Sequence, residues 1–327
     1  MTLLQVRKIY KMKPAPAPSP AMVFALHKPA GPTSFDVVHQ AKRILGKSAR
    51  KIGHFGTLDP FAEGLILVGT GGATKLADRF HKDFPKTYVA TGKLGVQMDT
   101  GDNTGDILKS SAINPTSLER WQEIATSMVG EYWQAPPAFS ATKHEGKALY
   151  EYARRGIVIE KEPVKREIYK LKVLSIENEF VHFEAQVSSG TYIRTLFEDM
   201  AKACDNIGHL IKLKRTQIGD LVCPDAHGEL KAWNHETLES HWMPFDELLQ
   251  LGIITLEGRD LELFSNGQCL TRDQFAGLEG EVWVVKADGE MMAMGMIENN
   301  VLKSSIMFPG GAPSRLLDKN LKLKLSL

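Results

Sequence analysis

The feature that most narrows the fold of this chain is the order of its apolar patterns. Strand-like runs and helix-like spacings are interleaved irregularly, and no internal repeat is evident. Residues 23–26 read as a short strand. Beyond the helix start Thr33-Ser34-Phe35-Asp36, the residues Val38, Ala41 and Leu45 recur at helical spacing while Lys42, Arg43 and Lys47 fall elsewhere, which predicts an amphipathic helix with a basic exposed side. Residues 65–68 form a buried-strand run, followed by the turn Gly69-Thr70-Gly71-Gly72 and a helix over 75–80. Further strands are expected at 87–94, 170–176 and 181–187, and helices at 118–129, 148–155 and 193–204. This order argues against a regular parallel βαβ series and predicts an α+β fold on a mixed, largely antiparallel sheet.

Past Pro244 the texture changes. A loop-rich acidic stretch gives way to short strands at 282–286, 291–297 and 302–307, punctuated by Gly277, Gly280, Gly289, Gly310 and Gly311. Short strands with frequent turns predict a small β-barrel-like domain. With 327 residues, 43% of them hydrophobic, the chain suits a large domain plus a small one. The expected division is 22–250 and 251–327, preceded by an extension at 1–21 whose Pro-Ala-Pro-Ala-Pro-Ser-Pro stretch (14–20) suits neither a helix nor a central strand.

Composition excludes several classes. Cys204, Cys223 and Cys269 are odd in number and far apart, so they provide neither a disulfide framework nor a metal knuckle, and a reducing cytoplasm is the expected setting. The basic N-terminus lacks the apolar segment of a signal peptide, and no stretch is long and apolar enough to span a bilayer. A formal net charge of +1 hides an asymmetry. Residues 37–54 carry Lys42, Arg43, Lys47, Arg50 and Lys51 with no acid, whereas 229–262 hold eight acidic residues against two basic. One end of the molecule is therefore suited to face phosphate.

The chemistry-bearing motif is Gly53-His54-Phe55-Gly56-Thr57-Leu58-Asp59-Pro60. Its glycines, Gly64 and the proline after Asp59 describe a tight, stiff loop that would hold Asp59 in place. This octet, with Ala62, Gly64 and the strand after it, resembles the catalytic loop of TruB family pseudouridine synthases. Lys28-Pro29-Ala30-Gly31-Pro32-Thr33-Ser34 resembles the family's first motif, Lys86-Thr87-Tyr88 its tyrosine-bearing strand, and Gly190-Thr191-Tyr192-Ile193-Arg194-Thr195 its arginine motif. The segments 95–102, 136–143 and 146–154 also match in order. The resemblance is dense over 24–216, and the C-terminal part loosely resembles the family's pseudouridine synthase and archaeosine transglycosylase (PUA) domain. Departures are His27, Phe55 and Phe139, where the family often has Asp or Asn, Thr, and Tyr respectively.

The resemblance implies an enzyme that docks the T-arm of tRNA, flips the uridine at nucleotide 55 and isomerises it, acting as a monomer without an obligatory protein partner. Pseudouridine formation breaks the bond from ribose to N1 of uracil and rejoins the base through C5, so the expected chemistry needs neither redox cofactor nor metal. Asp59 is the expected catalytic carboxylate, with attack on the sugar, attack on the base and proton abstraction all open as its role. Arg194 would keep it ionised, because a guanidinium within reach lowers a carboxylate pKa by about 1 to 3 pH units. Tyr88, the second expected catalytic residue, would stack on the uracil and offer a hydroxyl for proton transfer, Asp102 would pair with the arginine, and His54 would wedge into the RNA loop. Tyr192 is expected to pack under the uracil, with Lys28, Lys143, Lys147, Arg154 and Arg155 contacting phosphates. Two alternative readings are an RNA chaperone and the catalytic subunit of an RNA-guided particle. Asp99-Thr100-Gly101 is a lone triplet unlike a two-aspartate protease, and Gly69 to Thr74 lacks the third glycine of a dinucleotide turn.

Overall fold

The computed structural model describes residues 19–313, so most of the proline-rich stretch and the residues after 313 lie outside the described part. In chain order the strands of the larger part are β1 (Val23–Lys28), β2 (Ile52–His54), β3 (Glu63–Thr70), β4 (Lys86–Leu94), β5 (Val96–Met98), β6 (Ile107–Ser110), β7 (Gly130–Gln134), β8 (Lys143–His144), β9 (Lys147–Ala148), β10 (Val164–Glu177), β11 (Phe180–Val187), β12 (Gly208–Ile218), β13 (Leu221–Val222) and β14 (Trp242–Met243). The α-helices between them are α1 (Ser34–Leu45), α2 (Ala77–Lys82), α3 (Leu118–Ser127), α4 (Leu149–Ala153), α5 (Ile193–Ala203), α6 (His235–Ser240) and α7 (Phe245–Leu248).

Ten strands form one sheet with the path β14-β1-β3-β12-β4-β11-β10-β7, β2 pairing with β3 and β13 with β12. All its ladders are antiparallel except β12 on β3. The fold is thus the α+β, largely antiparallel type expected from the irregular pattern order. Strand β3 explains why 65–68 read as a continuous apolar run, since it is covered on both faces. Ile66 and Val68 pack with Phe24, Val38, Ala41 and Trp242, while Leu65 and Leu67 pack with Phe55 and Phe80. A third core lies where α3 and α5 cover β4 and β10 to β12, with Trp121 and Phe183 both stacked on Phe197.

Helix α1 starts where the sequence puts it, through a capping box. Thr33 Oγ1 accepts from the Asp36 N–H at 3.1 Å, and Asp36 accepts from the Thr33 N–H at 2.8 Å. Val38, Ala41 and Leu45 are buried and Lys42, Arg43, Lys47, Arg50 and Lys51 are exposed, as the amphipathic pattern requires. The helix expected at 75–80 begins as a 3-10 turn, Gly71–Leu76, before α2.

Strand β12 was not legible. Its Lys212, Lys214 and Arg215 interrupt the apolar alternation, yet it sits between β3 and β4. Lys212 is exposed and Lys214 half-buried, and the buried Arg215 is bonded into the loop after β2 described below. The acidic stretch past Pro244, expected to be loop-rich, instead holds α7, a strand at Gly252–Leu256 and a helix at Gly258–Ser265.

The C-terminal part holds β15 (Gly252–Leu256), helix α8 (Gly258–Ser265), β16 (Leu270–Thr271), β17 (Gly280–Lys286), β18 (Met291–Glu298) and β19 (Val301–Ala312), in a five-stranded sheet ordered β15-β17-β18-β19-β16. Alternation along β17 separates its two faces. Val282 and Val284 point into a core with Leu256 and Phe264, whereas Trp283 and Val285 join the core that contains Phe55, Phe80, Phe245 and Phe308. Gly72 makes this docking possible, since a Cβ there would lie 2.8 Å from the Phe308 ring and 2.9 Å from the Met307 carbonyl. The Ala21 N–H donates to the Gly311 carbonyl at 2.9 Å, and the Trp283 indole donates to the Leu249 carbonyl at 3.0 Å, adding polar ties across the same seam.

Candidate active site

The loop from His54 to Ala62 leaves β2 and returns into β3, and its shape is fixed by buried side chains reaching it from elsewhere. Ser34 Oγ accepts from the Leu58 N–H at 2.8 Å and donates to the Leu58 carbonyl at 3.0 Å. Arg215 donates to the carbonyls of Leu65 at 2.7 Å, Gly56 at 3.2 Å and Thr57 at 3.3 Å. Lys28 donates through Nζ to the carbonyls of Pro29, Pro60 and Ala62 at 2.9, 3.2 and 2.6 Å. Gly64 has φ +109° and a Cβ there would lie 2.3 Å from the Arg215 carbonyl, so only glycine lets β12 approach β3 at the point where the loop ends.

Lys28 therefore corrects the sequence reading. It was expected at the phosphate-facing surface, but it is 0% exposed and its ammonium is spent on loop carbonyls. Burial is the main reason its pKa falls to about 8, followed by repulsion from Arg215 and opposed by attraction to Asp59. Phe55, one of the departures from the family pattern, is a core residue. It is 1% exposed and stacks on Phe80 at 5.6 Å between centroids.

Asp59 sits at the tip of this loop, on the wall of a cleft of about 340 Å³ also lined by Tyr88, Tyr192, Arg194, Lys86, Arg166 and Arg215. Its Oδ2 lies 3.0 Å from Arg194 Nε. Arg194 is itself buried, in the first turn of α5, and its remaining nitrogens are taken. Nη1 donates to the Thr100 carbonyl and lies 3.5 Å from Asp102 Oδ2, while Nη2 donates to the Phe139 carbonyl at 2.9 Å. Asp102 is held in turn by Thr100 Oγ1 at 3.0 Å and the Thr104 N–H at 2.9 Å. The guanidinium is thus locked in one orientation with Nε aimed at Asp59.

The electrostatic balance differs from the expectation of a lowered Asp59 pKa. Burial in the cleft wall is the largest influence and raises it; Arg194 opposes, and the nearby Asp102 carboxylate raises it further. The carboxyl is enclosed by protein yet keeps 34% of its side-chain surface, so solvent and ligand reach it from the cleft side.

The two tyrosines line the cleft from different elements. Tyr88 is half-buried on β4, on the same strand face as Lys86. Tyr192 precedes α5. The buried side chain of Gln134 clamps its backbone, accepting its N–H at 2.7 Å and donating to its carbonyl at 3.0 Å, and its hydroxyl meets Thr142 Oγ1 at 3.0 Å. His54 lies at the start of the loop, where its Nδ1 accepts from the Gly56 N–H at 3.3 Å, and it does not line the cleft. Burial, then Arg215 and His81, lower its pKa, favouring a neutral ring. Asp102 stands behind Arg194, and Lys143 is exposed on the β8–β9 hairpin, next to the cleft-lining Ser140 to Thr142.

Sequence reasoning missed Arg215, Lys86, Gln134, Arg166 and His81. Lys86 Nζ donates to the carbonyls of Phe80 at 2.8 Å, His81 at 3.1 Å and Phe84 at 2.7 Å, so it caps the C-terminal end of α2. A signal for Lys86 was its spacing of two from Tyr88; for Arg215 there was only a charge inside an apolar strand.

Residues 42–193 match the TruB family pseudouridylate synthase N-terminal domain. The chain is 45% identical over 200 residues to a tRNA pseudouridine synthase B of Hydrogenovibrio crunogenus, covering 61% of this chain and 65% of that one. It is 33% identical over 284 residues to a tRNA pseudouridine synthase B of Thermotoga petrophila, covering 85% of this chain and 90% of that one. Among solved structures, a Cbf5-Nop10-Gar1 complex contains a chain with TM-score 0.61 and 22% identity, covering 88% of this chain and 83% of that one, a likeness of fold. Together with the ordered motifs, these matches place the chain in the TruB family of pseudouridylate synthases.

Proposed function

We propose that this protein converts uridine to pseudouridine in tRNA, at nucleotide 55 of the T-loop, with Asp59 as the catalytic carboxylate. The observation that carries the site assignment is the Asp59 carboxylate held 3.0 Å from a fully engaged, buried Arg194 in a cleft that also presents Tyr88 and Tyr192. The reaction breaks the ribose C1′ bond to N1, turns the base and forms the C1′ bond to C5; the C5 proton passes to solvent and N1 takes up a proton in its place. An ionised carboxylate serves each route to that exchange, and its orientation by Arg194 keeps it aimed into the cleft. Tyr88 and Tyr192 offer faces for the flipped base, and His54, neutral and beside the cleft, is suited to stack in the space the base leaves. Lys143, Lys147, Arg154 and Arg155, on the β8–β9 hairpin and the segment after it, are the proposed phosphate contacts, and residues 251–313 of the described chain act as the accessory RNA-binding unit.

The reading as subunit of a guided particle is not favoured, because the relatives at 33% and 45% identity are tRNA pseudouridine synthases B. Purified protein alone should release close to one equivalent of tritium from an unmodified tRNA transcript labelled at C5 of the target uridine. Asp59→Asn should release none while binding the same tRNA. Release by the variant at the wild-type rate, or none from either protein, would overturn the assignment.

A further inference from the structure

The cations that line the cleft are not equivalent. Arg194, Arg215 and Lys86 direct their donors at protein carbonyls and carboxylates, so they shape the site and have little left for a ligand. Arg166 is different. It projects from β10, an inner neighbour of the edge strand β7, and among the described residues no hydrogen bond or ion pair engages its guanidinium. It is half-buried, with its guanidinium laid over Gly190, whose φ of +79° already demands glycine. A Cβ at Gly190 would sit 3.1 Å from the guanidinium carbon and Nη2. Two neutral donors stand alongside on other elements. Ser189 Oγ and His81 Nδ1 are 3.5 Å apart, and both line the same cleft.

A uridine that enters the cleft is uncharged, but the phosphodiesters on either side of it are not, and they must pass a wall that already carries the Asp59 carboxylate. A free guanidinium flanked by a hydroxyl and an imidazole is suited to receive one of them. Burial, then Lys86, lower the pKa of His81, with Arg166 and Arg215 contributing and Asp78 opposing, so its ring is a neutral donor and Arg166 supplies the charge.

We infer that Arg166, with Ser189 and His81, forms a phosphate subsite that anchors the RNA backbone beside the flipped uridine and so positions the base against Asp59. The inference rests on the tRNA-modifying reading, and its test separates the two. Binding of an unmodified tRNA transcript is measured by filter retention in the Asp59→Asn background, with and without Arg166→Gln, across a range of salt concentrations. The second substitution should weaken binding about ten-fold and lower the slope of log affinity against log salt by about 0.9, the value of one phosphate contact. Arg166→Lys should restore the slope and part of the affinity, which a packing role for the guanidinium would not. A neutral methylphosphonate on either side of the target uridine should penalise the parent protein at one of the two positions and leave the Arg166→Gln protein indifferent there. An unchanged salt slope, or equal methylphosphonate penalties in both proteins at both positions, would overturn the subsite. Absence of tritium release from wild type in the separate activity assay would instead count against the enzyme reading.

Discussion

At the scale of single residues, the proposed chemistry asks for Asp59 as an anion in a place whose burial favours the acid. Arg194 resists that tendency, and Asp102 both adds to it and holds Arg194 in place. Single-turnover rate plotted against pH should therefore fall on the acid side through a limb lying above the ordinary carboxylate value of 3.8. The sign follows from the direction of the shift: with a raised pKa, protonation and loss of activity begin at higher pH than for a free aspartate. Arg194→Gln should move the limb further up, and a limb at or below 3.8 in the wild type would refute this account. The octet around Asp59 was legible because its constraints are local, encoded by neighbouring glycines and a proline. Lys28 was misread because a lysine in a loop motif looks the same whether its ammonium meets a phosphate or three carbonyls. Arg215 was invisible since its role depends on a strand register 150 residues distant from Leu65, its acceptor.

Elements show the same division. Helix α1, with its Thr33 cap and basic face, and strands β4 and β11 could be read from periodicity, because one turn or one pleat decides them. Strand β12 could not, since the partners that tolerate its charges are brought by tertiary pairing. The edge of β1 gives another case. β14 pairs only with Val23 and Phe24, and further along the His27 N–H is accepted by His227 Nε2 at 3.0 Å, an imidazole finishing the sheet edge. His227 sits against His241 at 3.9 Å between ring centroids and against Trp233 at 5.4 Å. Burial, then His241 and His27, push its pKa down from 6.5 to about 4, with Asp225 opposing. Because the folded pKa is depressed, the unfolded chain takes up this proton first as pH falls. The contribution is fully present above about 6.5 and is lost as pH drops toward about 4. Melting temperature should fall across that window in wild type, and the fall should be shallower in His227→Gln. Identical pH dependences for the two proteins would dismiss the device.

For the whole molecule, the two expected parts meet in one core. Phe55 and Phe80 from the loop after β2 and from α2, and Trp283 and Phe308 from the smaller sheet, belong to a single apolar cluster, with Phe245 against Phe308 at 5.0 Å between centroids. The change of texture near residue 250 was visible in sequence; the shared core was not, because alternation along β17 marks two buried faces without saying what covers each. Phe308→Ala should cost about 3–5 kcal/mol of stability although it lies outside the cleft. In urea, loss of tritium-release activity and the change in tryptophan fluorescence should occur in one coincident transition. Two separated transitions, with activity surviving the first, would show that the parts hold independently.

That seam also bears on how such a protein could be remade. Phe55 directly follows His54 and lies four residues before Asp59, and its ring fills the cluster that the C-terminal sheet completes. An engineer who exchanged the C-terminal sheet for another module would uncover the apolar cluster that holds that ring, and the loop that carries Asp59 would lose part of its backing. A graft onto this scaffold must carry apolar counterparts of Trp283 and Phe308 across the junction before it can carry a new specificity.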